Sequence, residues 1–161
     1  MSLSWSAAEG PPSFPGFPTR VAPLRVEGEL TLDGTILEMN EQFLTVDGGS
    51  VFFRNGGEVR GALRAVSPDI DPIIPLARLE GDVRISGDLE IDGVLAVGAS
   101  PGFGFIGGDL RLGPRSEIEI ELSGTSEPSQ YDHIEVGGSA FLDGKLSLVA
   151  LDEYIAVPGD T

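Results

Sequence analysis

The chain has 161 residues and a formal charge of −16, with ten basic against 26 acidic side chains, a balance that works against nucleic acid, whose phosphates are held by clustered Lys and Arg. It contains no cysteine, which excludes disulfides and thiolate metal sites, and no apolar run approaches the roughly 20 residues of a membrane helix. Its 23 glycines and 12 prolines beside 40% hydrophobic residues point to one all-β domain of short strands and many turns.

Residues 1–23 carry five of the prolines and no sustained alternation, so they read as an extended lead-in or cap, with Trp5, Phe14 and Phe17 covering a core end. The segment lacks a basic region followed by an apolar core, and no signal peptide is visible in it. Either the protein stays inside the cell or the chain is a fragment of something longer. From Leu24 every second residue is apolar or glycine: Leu24, Val26, Gly28, Leu30, Leu32, Gly34 and Ile36, with charged or polar residues opposite. Asp47-Gly48-Gly49 and Asn55-Gly56-Gly57 are turn signals between the β-rich runs 43–46 and 51–53. The stretch 66–75 holds three prolines and is expected to leave the regular structure as a loop.

The pattern is clearest over 79–97. One parity holds Leu79, Val83, Ile85, Leu89, Ile91, Leu95 and Val97 with Gly81, Gly87 and Gly93; the other is mostly charged. A period of two means extended chain with one face buried. The run is too long for one strand, and glycine returning every six residues marks corners. A chain that turns repeatedly while keeping one parity inward is a solenoid. The expected fold is a parallel, right-handed β-helix over 24–161, of about five to seven coils at roughly 20 to 25 residues each. At about 4.8 Å per coil that is a rod of roughly 25 to 35 Å. The alternative is an antiparallel β-sandwich. No apolar spacing settles at the 3.6 of a helix.

Beyond Val97 come a glycine-rich corner, the alternating Glu117, Ile118, Glu119, Ile120, Glu121 and Leu122, a polar loop at 123–130, and a last alternation through Ile134, Val136, Ala140, Leu142, Leu146 and Leu148. In this half, Ser100-Pro101-Gly102, the Gly-Asp-Leu-x-Leu strand 108–112, the acidic strand 118–122, the Tyr131-Asp132 turn and the Gly-x-Leu-x-Leu strand 144–148 occur in that order. Residues 94–161 thereby resemble the closing coils of bacterial autotransporter passengers and related adhesin-like β-helix repeats. The resemblance implies a right-handed parallel β-helix on an exported protein at the cell surface, with a surface receptor or a glycan as partner.

Gly98-Ala99-Ser100-Pro101-Gly102 formally matches the Gly-x-Ser-x-Gly elbow of hydrolases. That elbow takes an oxyanion donor from the N–H after the serine, and Pro101 has none, so a corner is the expected reading. His133, the single histidine, is expected as a solvated turn residue. Asp82, Asp88 and Glu90, and likewise Glu117, Glu119 and Glu121, are read as able to stack on neighbouring coils, where carboxylates about 4.8 Å apart repel. A solvated acidic face is the first expectation for them, weak Ca²⁺ binding the second and glycan-cleaving acid–base work the third. Asp69, Asp71 and Asp132 are oxygen ligands in loops without the spacing of a calcium motif, and Tyr131-Asp132 is expected to fix the turn into the last coil. No catalytic, cofactor-binding or metal residue is assigned. The expected function is a non-catalytic stalk or adhesive segment; the alternatives are a module that self-associates through its coil ends and a carboxylate-dependent glycan enzyme.

Overall fold

The computed structural model describes residues 24–66, 76–98, 102–125, 130–155 and 157; the lead-in at 1–23 and positions 67–75 of the Pro-rich stretch lie outside these. Among the described residues the regular structure is all strand, with no helix. The chain repeats one itinerary. A first pass contains β1 (Arg25–Val26), β2 (Glu29–Asp33) and the long β3 (Ile36–Val46), and a second β4 (Ser50–Arg54) and β5 (Glu58–Val66). A third holds β6 (Arg78–Gly81), β7 (Arg84–Ile85) and β8 (Leu89–Asp92), and a fourth β9 (Val94–Val97), β10 (Phe103–Ile106) and β11 (Leu110–Leu112). The fifth holds β12 (Glu117–Leu122), β13 (His133–Val136) and β14 (Ala140–Phe141), and β15 (Lys145–Ala150) follows it.

The strands form two sheets. One is six-stranded in the order β15-β12-β9-β6-β4-β2. The other is nine-stranded along β13-β10-β7-β5-β8-β11-β14, with β3 on β5 and β1 on β3. β5 is long enough to pair with β7 at Val59 and with β8 from Leu63 onward, so each later pass lays two short strands along what is one strand in the second pass. All ladders are parallel, which rules against the antiparallel sandwich. The one antiparallel pairing among the described residues is an isolated bridge, Leu122 with Tyr131.

Register turns the alternation into columns. Leu30, Val51, Leu79, Leu95, Ile118 and Leu146 follow one another across the six-stranded sheet. On the other sheet Leu37, Val59, Ile85, Ile106 and Val136 form a second column, and Leu44, Leu63, Leu89, Leu110 and Ala140 a third. The middle members of all three columns are fully buried in one continuous core. Each such Leu, Ile or Val contributes on the order of 1.5 to 3 kcal/mol by burial, before the entropy of ordering is set against it.

The inward parity expected for 79–97 holds, and the departures sit at the ends. Leu24 and Ile36 are exposed in the first pass, and Leu146 and Leu148 are 62% and 61% exposed in β15. Leu24, Leu146 and Leu148 keep the inward parity but lie beside or within outermost strands, β1 and β15. Ile36 has left that parity, because the inward residues of β3 are Leu37 and Met39. Alternation records which way a side chain faces, whereas burial also needs a neighbouring strand.

The glycines do more than bend the chain. Gly81 has φ +101, which a side chain disfavours, and an added Cβ would also strike the Phe53 carbonyl oxygen of the preceding pass. At Gly93 there is no unusual φ, and the obstacle is contact alone: a Cβ would run into the Ala77 carbonyl. Glycine therefore recurs where successive passes touch backbone to backbone.

Two outcomes are expected. Ile85→Asp or Leu89→Asp places a charge in the fully buried centre at a cost comparable to the whole stability of a small domain, and the cooperative thermal melt followed by circular dichroism disappears. Gly93→Ala retains the melt but lowers stability in urea titration by about 1–3 kcal/mol, because the Ala77 carbonyl belongs to backbone that must shift.

Candidate functional site

The outward parity carries the chemistry, and register decides which charges meet there. Glu90 of β8 lies between Arg64 of β5 and Arg111 of β11, and Arg64 Nε stands 3.0 Å from its carboxylate. Lys145 of β15 lies opposite Glu117 of β12, with Nζ donating to the carboxylate over 2.8 Å. Arg78 of β6 reaches across β9 to donate from both terminal nitrogens to Glu119 of β12, at 3.3 and 2.8 Å, and donates from Nε to Glu80 at 2.8 Å. Ala96 sits in register between Glu80 and Glu119 and is buried despite its outward parity.

This corrects the expectation of stacked carboxylates. Glu117, Glu119 and Glu121 share one strand, β12, rather than neighbouring passes, and they are half-buried rather than solvated. Asp82, Asp88 and Glu90 belong to one pass; of the three, Asp88 does come beside a carboxylate of the next pass, that of Asp109, and accepts from that residue's backbone N–H, whereas Glu90 meets arginines. At Glu90 and Glu117 the neighbour in the column is basic, where a second carboxylate at about 4.8 Å would repel. Hydrogen bonds from Lys145 and Ser147 hold the Glu117 carboxyl below its ordinary range, and the bond to Glu119 holds the Arg78 guanidinium further above its own.

A second set of carboxylates works at corners. Asp88 accepts from the Asp109 N–H of the next pass at 2.9 Å, and Asp109 accepts from the Ser139 N–H at 3.0 Å. Asp92 accepts from the Arg115 N–H at 2.8 Å and from its Nε at 2.7 Å. These acids satisfy backbone donors that the turns leave without partners. The Gly-Asp-Leu recurrence at 87–89 and 108–110 is the sequence signal for the ladder.

The strongest constraint on a charged group is at Asp132, which is 5% exposed. Its Oδ1 accepts from Gly102 N at 2.6 Å and its Oδ2 from Glu121 N at 2.7 Å. Its own N–H donates to the Glu121 carbonyl, and the next, His133 N, donates to the Gly102 carbonyl, both at 3.0 Å. One carboxylate thus ties the end of β12 to the starts of β10 and β13, in agreement with the turn-fixing role expected of Tyr131-Asp132. Burial pushes its pKa up, and the two backbone donors offset only part of that.

His133 follows directly. It is no turn residue: it lies in β13, half-buried, with its ring stacked on Phe103 at 5.6 Å and 4° between planes. Arg84 of β7, in register with Phe105, lies diagonally over the Phe103 ring at 5.8 Å, so a guanidinium, a phenyl ring and an imidazole meet on the outward parity. Two more such pairs lie on the outward parity, Arg54 over Phe52 at 5.5 Å and Arg111 over Phe141 at 4.2 Å.

Ser100 and Pro101, and with them the centre of the Gly-x-Ser-x-Gly match, lie outside the described residues, as do Asp69 and Asp71. The flanking Gly98 and Gly102 approach so closely that neither has room for a Cβ, and strand β10 follows where the hydrolase elbow requires a helix. Among the described residues no three metal-ligating side chains converge. No protein-family model, curated protein or solved structure matches the chain.

Asp132→Asn offers one acceptor to two backbone donors, and is expected to lower stability at neutral pH by about 1–3 kcal/mol. The pH dependence has a definite sign. With its folded pKa raised above the unfolded value, Asp132 binds more protons folded than unfolded, so its contribution falls as pH rises through the folded pKa. The stability advantage of the native chain over the Asn variant is therefore largest in acid and shrinks toward neutrality in urea titrations across pH; an advantage that grows instead shows that the backbone donors outweigh burial.

Proposed function

We propose that the chain is a non-catalytic structural and adhesive stalk segment of an exported bacterial surface protein, wound as a right-handed parallel β-helix of the kind its residues 94–161 resemble. The observation that carries this reading is the set of three apolar columns, each continued from pass to pass in parallel register. A body built by repeating one pass has no intrinsic length, and every added pass buries the end of the one before. That suits a spacer which must hold something at a distance.

The outward surface supports the adhesive part. Outward aromatic rings lying beside guanidinium groups, as at Phe52 with Arg54 and Phe103 with Arg84, bring apolar surface together with hydrogen-bond donors, a combination suited to a saccharide or an extended peptide. The net charge of −16 disfavours side-by-side clustering of rods. The cell-surface setting comes from the resemblance.

The test is duplication of a pass. Leu89 and Leu110 occupy equivalent positions, so a second copy of residues 89–109 inserted after 109 preserves every register. The expected product melts cooperatively and is longer by about 4.8 Å in its scattering profile; an insertion that abolishes folding overturns the β-helix reading. Incubation with acidic and neutral polysaccharides is expected to give no cleavage, and turnover overturns the non-catalytic assignment.

A further inference from the structure

We infer that the two outermost strands of the six-stranded sheet are complementary to each other, so that the β15 end of one copy of this chain docks on the β2 end of the next. The inference rests on the β-helical reading above and goes beyond it by naming the partner and the register. Among the described residues both strands are terminal in their sheet and run in the same direction, so each presents a row of backbone donors and acceptors with no described strand beside it. Continuing the ladder by one step places Leu146 opposite Leu30 and Leu148 opposite Leu32, which extends the apolar column from one copy into the next. The same step sets Ser147 opposite Thr31.

Charge selects this register over its neighbours. The outward column of that sheet ends in Glu117 and then Lys145 at one end, and in exposed Glu29 at the other. Docking continues the alternation as Glu117, Lys145, Glu29. On the other sheet, β14 and β1 are also terminal, and the outward column that ends in Arg111 and Phe141 begins at Arg25. The next copy's Arg25 then faces the Phe141 ring on the side away from Arg111, which already lies over it at 4.2 Å. Leu142, Leu146 and Leu148, each more than 60% exposed, mark the area to be covered. β13 is not brought against β3 of the next copy by this step, so the contact is carried by β15 on β2 and by β14 on β1. Such a head-to-tail contact is heterologous and does not close on itself, so the product is an open filament rather than a dimer.

The experiment is sedimentation velocity of the 161-residue chain at rising concentration, with circular dichroism to confirm folding. The native chain is expected to grow progressively in sedimentation coefficient. Glu29→Lys alone and Lys145→Glu alone, each placing like charges across the contact, are expected to lose that growth, and so is Leu148→Glu, which changes a side chain already exposed in the single copy. An equal mixture of the two charge variants pairs opposite charges at every junction and is expected to regain it. A native chain that remains a monomer, growth that stops at a dimer, or a mixture that fails to recover growth overturns the docking. If that happens while the duplicated-pass variant folds, the docking alone has failed; if the duplication also abolishes folding, the β-helical reading falls with it.

Discussion

Everything in this protein depends on one spacing, the roughly 4.8 Å between hydrogen-bonded strands, being repeated in register. At that distance a side chain meets the equivalent side chain of the next pass whether or not the two suit each other. Leucine above leucine gains burial on both sides, which is why the central members of the columns are fully buried. Carboxylate above carboxylate repels, and Glu90 and Glu117 avoid it: Glu90 is flanked by Arg64 and Arg111, and Glu117 is followed by Lys145. Where Asp88 does meet Asp109, it accepts from that residue's backbone N–H. The same spacing brings backbone against backbone at Gly81 and Gly93, where any side chain collides with the pass below.

The corners show how the spacing is kept where strands stop. Turns strand backbone N–H groups that need acceptors when water is excluded. Asp88, Asp92, Asp109 and Asp132 supply them, each reaching the backbone of another pass or of a neighbouring strand. Four of the 26 acidic residues thereby have a structural use at corners. Asp132 is the extreme instance, since burial raises its pKa and its two backbone donors offset only part of that.

An acidic chain with aromatic residues on its outer face combines two tendencies that are usually opposed. Net charge disfavours lateral contact between such chains, while Leu146 and Leu148 of β15 are exposed. The ends and the sides of the molecule therefore differ in kind: the sides are charge-paired and dotted with guanidinium-edged rings, and the β15 end is apolar with a defined charge at one edge.

Parity, and with it the all-β class and the identity of the buried residues over 79–97, was legible in the amino-acid sequence, because a period of two is a property of the local backbone and needs no partner. The turns at Asp47-Gly48-Gly49 and Asn55-Gly56-Gly57 were legible for the same local reason, and Asn55 and Gly56 do take positive φ. Register was not, because it depends on how much chain each loop consumes: Leu79 pairs with Leu95, while Ile118 pairs with the far more distant Leu146. Only the tertiary structure could therefore place Arg78 on Glu119, move His133 from a turn onto Phe103, bury Ala96, and leave Leu146 and Leu148 uncovered, since each of these is set by the strand alongside and none by the residues on either side in the chain.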